Sequence, residues 1–202
     1  FPTRATGQIG NGQGLDGVDD YIATTTPFNN LQMFTESIWF RTSSPAPAKL
    51  MGFESIRTGT GAGNFDRMIY LNSAGAAVGA IWNGGAVLVN TAAPVNDNNW
   101  HYAVLTYGSN TLSLYVDGKF IGQNSGTPEN SIGYLRMGSW ALNGWPSATN
   151  GYYSGHLDEA RLSTVVRSSS WIQTEYNNQN SPSTFSSLQA AEKAGDASTT
   201  CR

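Results

Sequence analysis

The chain of 202 residues predicts an all-β fold: an antiparallel two-sheet sandwich of the jelly-roll type with one short C-terminal helix. Three observations carry that expectation. Many short runs of strand-forming residues are separated by turns rich in glycine, asparagine and aspartate. The pair Asp117-Gly118, between Leu112–Val116 and Lys119–Ile121, is the sequence of a two-residue type I′ hairpin. A helical spacing of apolar residues occurs once and late, between Arg167 and Gln179.

Taken in order, Gly7 to Gly14 is flexible by composition and leads into Leu15–Ala23. There Asp16-Gly17 favours a turn and Tyr21-Ile22 is strand-prone. Phe28 to Met33 is expected to be a loop. Phe34–Thr42 and Leu50–Ser55 are strands joined through Ser44-Pro45-Ala46-Pro47. Arg57 to Asp66, with Gly59, Gly61 and Gly63, is an exposed loop. It is no phosphate cradle, because the strand Arg67–Leu71 follows it where such a cradle needs a helix. Asn72–Gly75 and Asn83-Gly84-Gly85 turn the chain through strands at Val78–Trp82 and Val87–Val89. Trp100–Tyr107 is apolar on both faces, as in a central strand. The Asp-Gly hairpin pairs Val116 with Lys119, Tyr115 with Phe120 and Leu114 with Ile121.

Tyr134–Trp140 is a further strand, and Ala141–Tyr152 is a long loop. The closing strand Tyr153–Ser163 puts Asp158 on the side of Ala160 and Leu162 if it alternates without a bulge. In the helix, Ser170-x-x-Gln173 matches a capping box, and Trp171, Ile172 and Tyr176 share a face. From Ser186 the chain is small and polar. The expected organisation is one domain over residues 1–185 and a tail or linker over 186–202.

A net charge of −3 with scattered Lys and Arg offers no footprint for nucleic acid or an anionic membrane surface. No apolar run is long enough for membrane insertion. Cys201 is the only cysteine, which excludes an internal disulfide and a Cys-based metal site. The chain opens at Phe1-Pro2-Thr3 without a methionine and reads as a piece of a longer protein. Abundant Gly, Ser, Thr, Asn and aromatic residues suit a polar surface that hydrogen-bonds neutral ligands, sugars among them.

With the segments placed, the chain resembles the laminin-G-like, concanavalin-A-like lectin/glucanase jelly-roll domains of the bacterial subgroup. The matching residues are Gly17–Ile22, Trp100–Val104 with Leu114–Gly118, and Gly155–Ser163 with Arg167–Ile172. The resemblance implies a secreted or cell-surface location and a polysaccharide or glycan ligand. It also implies one structural Ca²⁺, with Asp158 as the late ligand and Asp19 or Asp20 as the early one, since calcium takes six to eight oxygens. The other reading is that Asp158 accepts backbone hydrogen bonds and Asp19-Asp20 lies in a solvated turn.

For sugar binding, aromatic rings stack on apolar ring faces while amides and carboxylates take hydroxyls. The candidates are Trp140, Trp145, Tyr152 and Tyr153 around the late loop, with Trp82, Asn83, Arg57, Asp66 and Arg67 from elsewhere. Trp145, between Gly144 and Pro146, has no periodic reason to be core. Glu159 and Arg161 read as a surface ion pair, and the lone strand histidines His101 and His156 as structural. Glu54 and Asp66 could form a carboxylate pair, but no strand carries the Glu-x-Asp-x-x-Glu pattern of the hydrolase relatives. The expected function is a non-catalytic carbohydrate-binding or surface-adhesion module. A glycoside hydrolase or polysaccharide lyase on the same fold, and a protein-interaction module without a glycan site, are the alternatives.

Overall fold

A computed structural model describes residues 1–182; the expected boundary at 185/186 and Cys201 lie outside them. Along the chain run β1 (Thr3–Thr6), β2 (Asn11–Asp16), β3 (Ile22–Ala23), β4 (Phe28–Asn29), β5 (Phe34–Arg41), β6 (Ala48–Glu54), β7 (Phe65–Leu71), β8 (Ala77–Trp82), β9 (Ala86–Asn90), β10 (His101–Gly108), β11 (Thr111–Val116), β12 (Lys119–Ser125), β13 (Ile132–Met137), β14 (Ser154–Ser163) and α1 (Ser169–Asn180). The first sheet has the order β1-β2-β14-β5-β10-β11-β12. The second runs β3-β13-β6-β7-β8-β9, with β4 also pairing to β13. The chain is therefore the antiparallel jelly-roll sandwich that its turn pattern predicts.

Alternation explains the layers. In β5, Phe34, Ile38 and Phe40 point between the sheets, where they meet Leu50, Phe53, Ile69 and Ile81 of the second sheet. Trp39, one residue out of phase, faces the other way and packs with Tyr102, Val104 and Ile172 beneath α1. The helix is capped by Ser168, whose hydroxyl accepts the Trp171 N–H at 3.2 Å, two residues before the expected cap. Ile172 is thereby buried and Trp171 remains 37% exposed.

Three local expectations are corrected. The glycine-rich start is strand: β2 pairs with β1 on one side and β14 on the other. Its glycines serve close approach, since a Cβ on Gly12 would lie 2.5 Å from the Leu157 carbonyl oxygen. The hairpin turns at Asp117-Gly118 with both φ positive and pairs Val116 with Lys119 and Tyr115 with Phe120. A bulge then sets Leu114 opposite Gly122 instead of Ile121.

The third correction is in β14. Its register with β5 shifts between Asp158 and Arg161, and Glu159 has φ +47°. Leu157 and Leu162, an odd number of residues apart, consequently both pack on the core, which plain alternation forbids. Asp158 turns away from Leu162 and toward the β1–β2 turn.

Candidate functional site

Asp158 is buried, and its oxygens accept the N–H groups of Ile9 and Glu159, each at 2.9 Å. It ties the β1–β2 turn to the bulge, and a Cβ on Gly7 would lie 2.4 Å from its Oδ2. Asp19 lies at the far end of β2. Gln13 pairs with Leu157 at the Asp158 end while Asp16 pairs with Ser154 at the Asp19 end, so about 10 Å of strand separates the two positions. The structure does not bring the two expected calcium ligands together, and each oxygen of Asp158 already accepts a backbone N–H.

Asp19 instead groups with Asp16 and Asp20. Within that loop Asp16 Oδ1 accepts the Val18 N–H at 2.8 Å, and Asp20 pairs with the Phe1 ammonium at 2.7 Å. Replacing Asp158 with alanine leaves two backbone donors unsatisfied and is expected to cost about 2 kcal/mol. Urea unfolding should show the same loss in chelator as in calcium. A loss confined to calcium-containing buffer would make Asp158 a cation ligand.

The outer face of the second sheet carries most of the other candidates. Met68, Tyr70, Val78 and Ala80 form an apolar floor there, and the loop after β13 folds back over it. That loop buries Trp145 to 4% exposure, which corrects the expectation of a free loop tryptophan. Trp145 meets Trp82 edge-to-face at 5.5 Å and Tyr70 at 6.3 Å. Beside it opens a cleft of about 270 Å³ lined by Asn64, Asp66, Trp82, Glu129, Asn143 and Trp145, among others. Trp82 is half-buried, whereas Asn64, Glu129 and Asn143 are exposed.

Asp66 lines the cleft but is occupied. Its oxygens accept the Arg67 and Trp82 N–H groups at 2.6 and 2.7 Å and the Arg67 guanidinium at 2.6 Å. Burial pushes its carboxyl up, against the pull of Arg67 and those N–H groups. Glu129, which sequence reasoning missed, accepts the Gly84 N–H at 2.8 Å. It lies in a loop with no periodic signal, so only the fold brings it to Trp82.

The remaining candidates divide. Tyr153 belongs to the core: it is 1% exposed, and its hydroxyl donates to the Arg41 carbonyl at 3.0 Å. Trp140 and Tyr152 pack together at 5.3 Å, and Tyr152 stacks on Tyr21 at 6.5 Å. This second aromatic group lies on the β3–β13 side of the same sheet. Arg57 is exposed in the glycine-rich loop, and Asn83 is exposed at the β8–β9 turn.

Under the second aromatic group lies a buried ionic cluster. Glu54 binds Lys49 at 2.7 Å, Arg136 at 2.5 Å and the Ser139 hydroxyl. Burial lowers Lys49 to about 8 in spite of Glu54. Glu54 and Asp66 thus sit in separate ion pairs and do not face each other across an open cleft. Glu159 does pair with Arg161, which Glu175 also binds. His101 is held between Asp117 at 2.8 Å and Asp97 at 3.1 Å. Burial lowers its basicity, but the two carboxylates outweigh that and raise it. His156 neighbours Arg41 and Trp100.

Among solved structures, the fourth domain of an extracellular arabinanase from Geobacillus stearothermophilus, in complex with arabinotriose, is similar at TM-score 0.64 and 13% identity over 86% of this chain and 80% of that one. The CBM40 domain of a Ruminococcus gnavus sialidase, bound to α2,3-sialyllactose, matches at TM-score 0.55 and 16% identity over 76% and 95%. A pentraxin from Limulus polyphemus matches at TM-score 0.60 and 9% identity over 81% and 80%. At such identities the likeness is one of fold. No curated protein matches the chain at a significant level. A family model does match, over residues 16–173, and the chain belongs to the concanavalin A-like lectin/glucanases superfamily.

Proposed function

We propose that the chain is a carbohydrate-binding or surface-adhesion module of a larger secreted protein and that it holds a sugar in the Trp82 cleft. One observation carries this reading: a half-buried indole adjoins exposed Asn64, Asn143 and Glu129 in one cleft. The indole supplies an apolar platform for a sugar ring, and the amides and carboxylate take hydroxyls. The arabinotriose and sialyllactose held by two domains of similar fold support a glycan as the ligand class.

Trp82→Ala tests this with little damage to the core, because Trp145 keeps Tyr70 and the apolar floor as neighbours. Calorimetric titration of the best binder from a glycan array should show Kd raised about tenfold with circular dichroism unchanged. An array on which nothing binds would overturn the reading, as would a binder indifferent to Trp82→Ala.

A further inference from the structure

The Arg136 guanidinium is fully buried, yet it is only partly used. Its Nη1 donates to Glu54 at 2.5 Å and to the Gly59 carbonyl at 3.0 Å. Its Nε and Nη2 are buried and have no hydrogen-bond partner among the described residues. Those two atoms form one side of the planar group, the edge that matches the two oxygens of a carboxylate. Tyr21 lies over the guanidinium at 4.2 Å. A ring against the flat face attracts the cation but does not accept the in-plane N–H groups.

Charge points the same way. Lys49 and Arg136 share the single carboxylate of Glu54, and all three side chains are 0% exposed. The cluster therefore buries one positive charge in excess, which is costly without a counter-charge. A bound carboxylate would supply the counter-charge and satisfy both orphaned donors.

The cover over this cluster is built to yield. Ser55 and Asn64 close the neck of the glycine-rich loop through the Ser55 N–H at 2.9 Å and the Ser55 hydroxyl. Beyond the neck, Gly59, Gly61 and Gly63 have open space where a side chain would stand. Gly59 is held from below by Arg136 and by a long 3.4 Å hydrogen bond to the Tyr21 hydroxyl. Tyr152 and Trp140 continue from Tyr21 as an aromatic rim.

We infer that Arg136 is the carboxylate-reading subsite of this sheet face, reached when the Arg57–Asn64 loop and Tyr21 move aside, and that the ligand is an acidic glycan. The inference rests on the carbohydrate reading and narrows it. Arg136 on β13 and Trp82 on β8 are three strand spacings apart, about 14 Å, so one oligosaccharide can touch both. A uronate and a sialic acid offer the same carboxylate, and the ligands tested separate them.

The test uses ¹⁵N-labelled protein, following the Arg136 Nε–H and Trp82 indole N–H signals. The Arg136 signal is assigned in the wild type by through-bond correlation from its side chain to its own backbone amide. Trigalacturonate, α2,3-sialyllactose and neutral arabinotriose are titrated separately. One acidic glycan should bind about tenfold more tightly than arabinotriose and move the Arg136 signal. Arg136→Lys should abolish the preference; if that variant does not fold, the wild-type signal decides. A static Arg136 signal while Trp82 responds would overturn the acidic subsite and leave the glycan reading intact. No response of either signal to any of the three would overturn the acidic subsite, and the glycan array then decides the carbohydrate reading.

Discussion

Glu54→Gln is expected to cost the fold about 3–5 kcal/mol, the range for breaking a buried ion pair by removing one partner. The carboxylate is the shared acceptor for Lys49, Arg136 and Ser139. A neutral amide leaves two buried cations facing each other with no counter-charge. Glu159→Gln is the control. It removes a partner from Arg161, whose side chain is 46% exposed, and solvent screening limits that loss to about 1 kcal/mol. Urea unfolding of both variants, extrapolated to water, makes the comparison. A Glu54→Gln loss no greater than that of Glu159→Gln would mean that the cluster is already hydrated and contributes little.

Glu36→Leu is expected to act in the opposite direction. Glu36 occupies an inward position of β5 between Phe34 and Ile38, is 0% exposed, and has no hydrogen-bond partner for either oxygen among the described residues. Burial pushes its carboxyl well above the usual range; Arg67 and Lys49 pull it down and Asp66 pushes it up, with burial the largest effect. The sign follows from a folded-state pKa above the unfolded one. Whatever stability the protonated group contributes is fully present below the unfolded-state carboxyl pKa and is lost as pH rises toward the folded-state value. Each pH unit in that window costs the wild type about 1.4 kcal/mol.

Leucine has no such titration and fills an apolar site. The variant should therefore gain about 1–4 kcal/mol over wild type at pH 7, with the gap narrowing as pH falls toward about 4. Urea midpoints across that range measure it. A variant less stable than wild type at every pH would show that Glu36 is held charged by a partner.

Local chemistry accounts for the parts of the fold that the sequence discloses. Asp117-Gly118 takes positive φ at both positions, and the register beside it follows from that turn alone. The same reading fails at the third pair of the hairpin, where the bulge at Leu114/Tyr115 adds a residue. It fails likewise at Glu159, because a side-chain period of two loses its phase wherever one strand carries an extra residue. β2 escapes notice because Gly12 is chosen for what it leaves room for, the backbone of β14, as Gly7 before the strand is for the Asp158 carboxylate. Propensity cannot report a neighbour that arrives about 145 residues later.

The candidate site was legible in composition more than in position. Trp82, Asp66 and Trp145 do meet, but Trp145 does so from beneath, and Tyr153 belongs to the inter-sheet core. A loop tryptophan has no period from which burial can be read; its exposure depends on where the loop lands. Glu129 and the free edge of Arg136 left no trace in the sequence, since each gains its meaning from residues brought together across the sheet.

By itself, then, the sequence determined the antiparallel sandwich, the position of most strands and turns from Phe34 onward, the late helix and the absence of an internal disulfide, because spacing and turn chemistry are local. Only the tertiary structure decided which face each carboxylate and aromatic ring joined. Bulges reset the phase of β14, the late loop folded over the second sheet, and burial left Arg136 with donors to spare. All three depend on contacts between residues far apart in the chain.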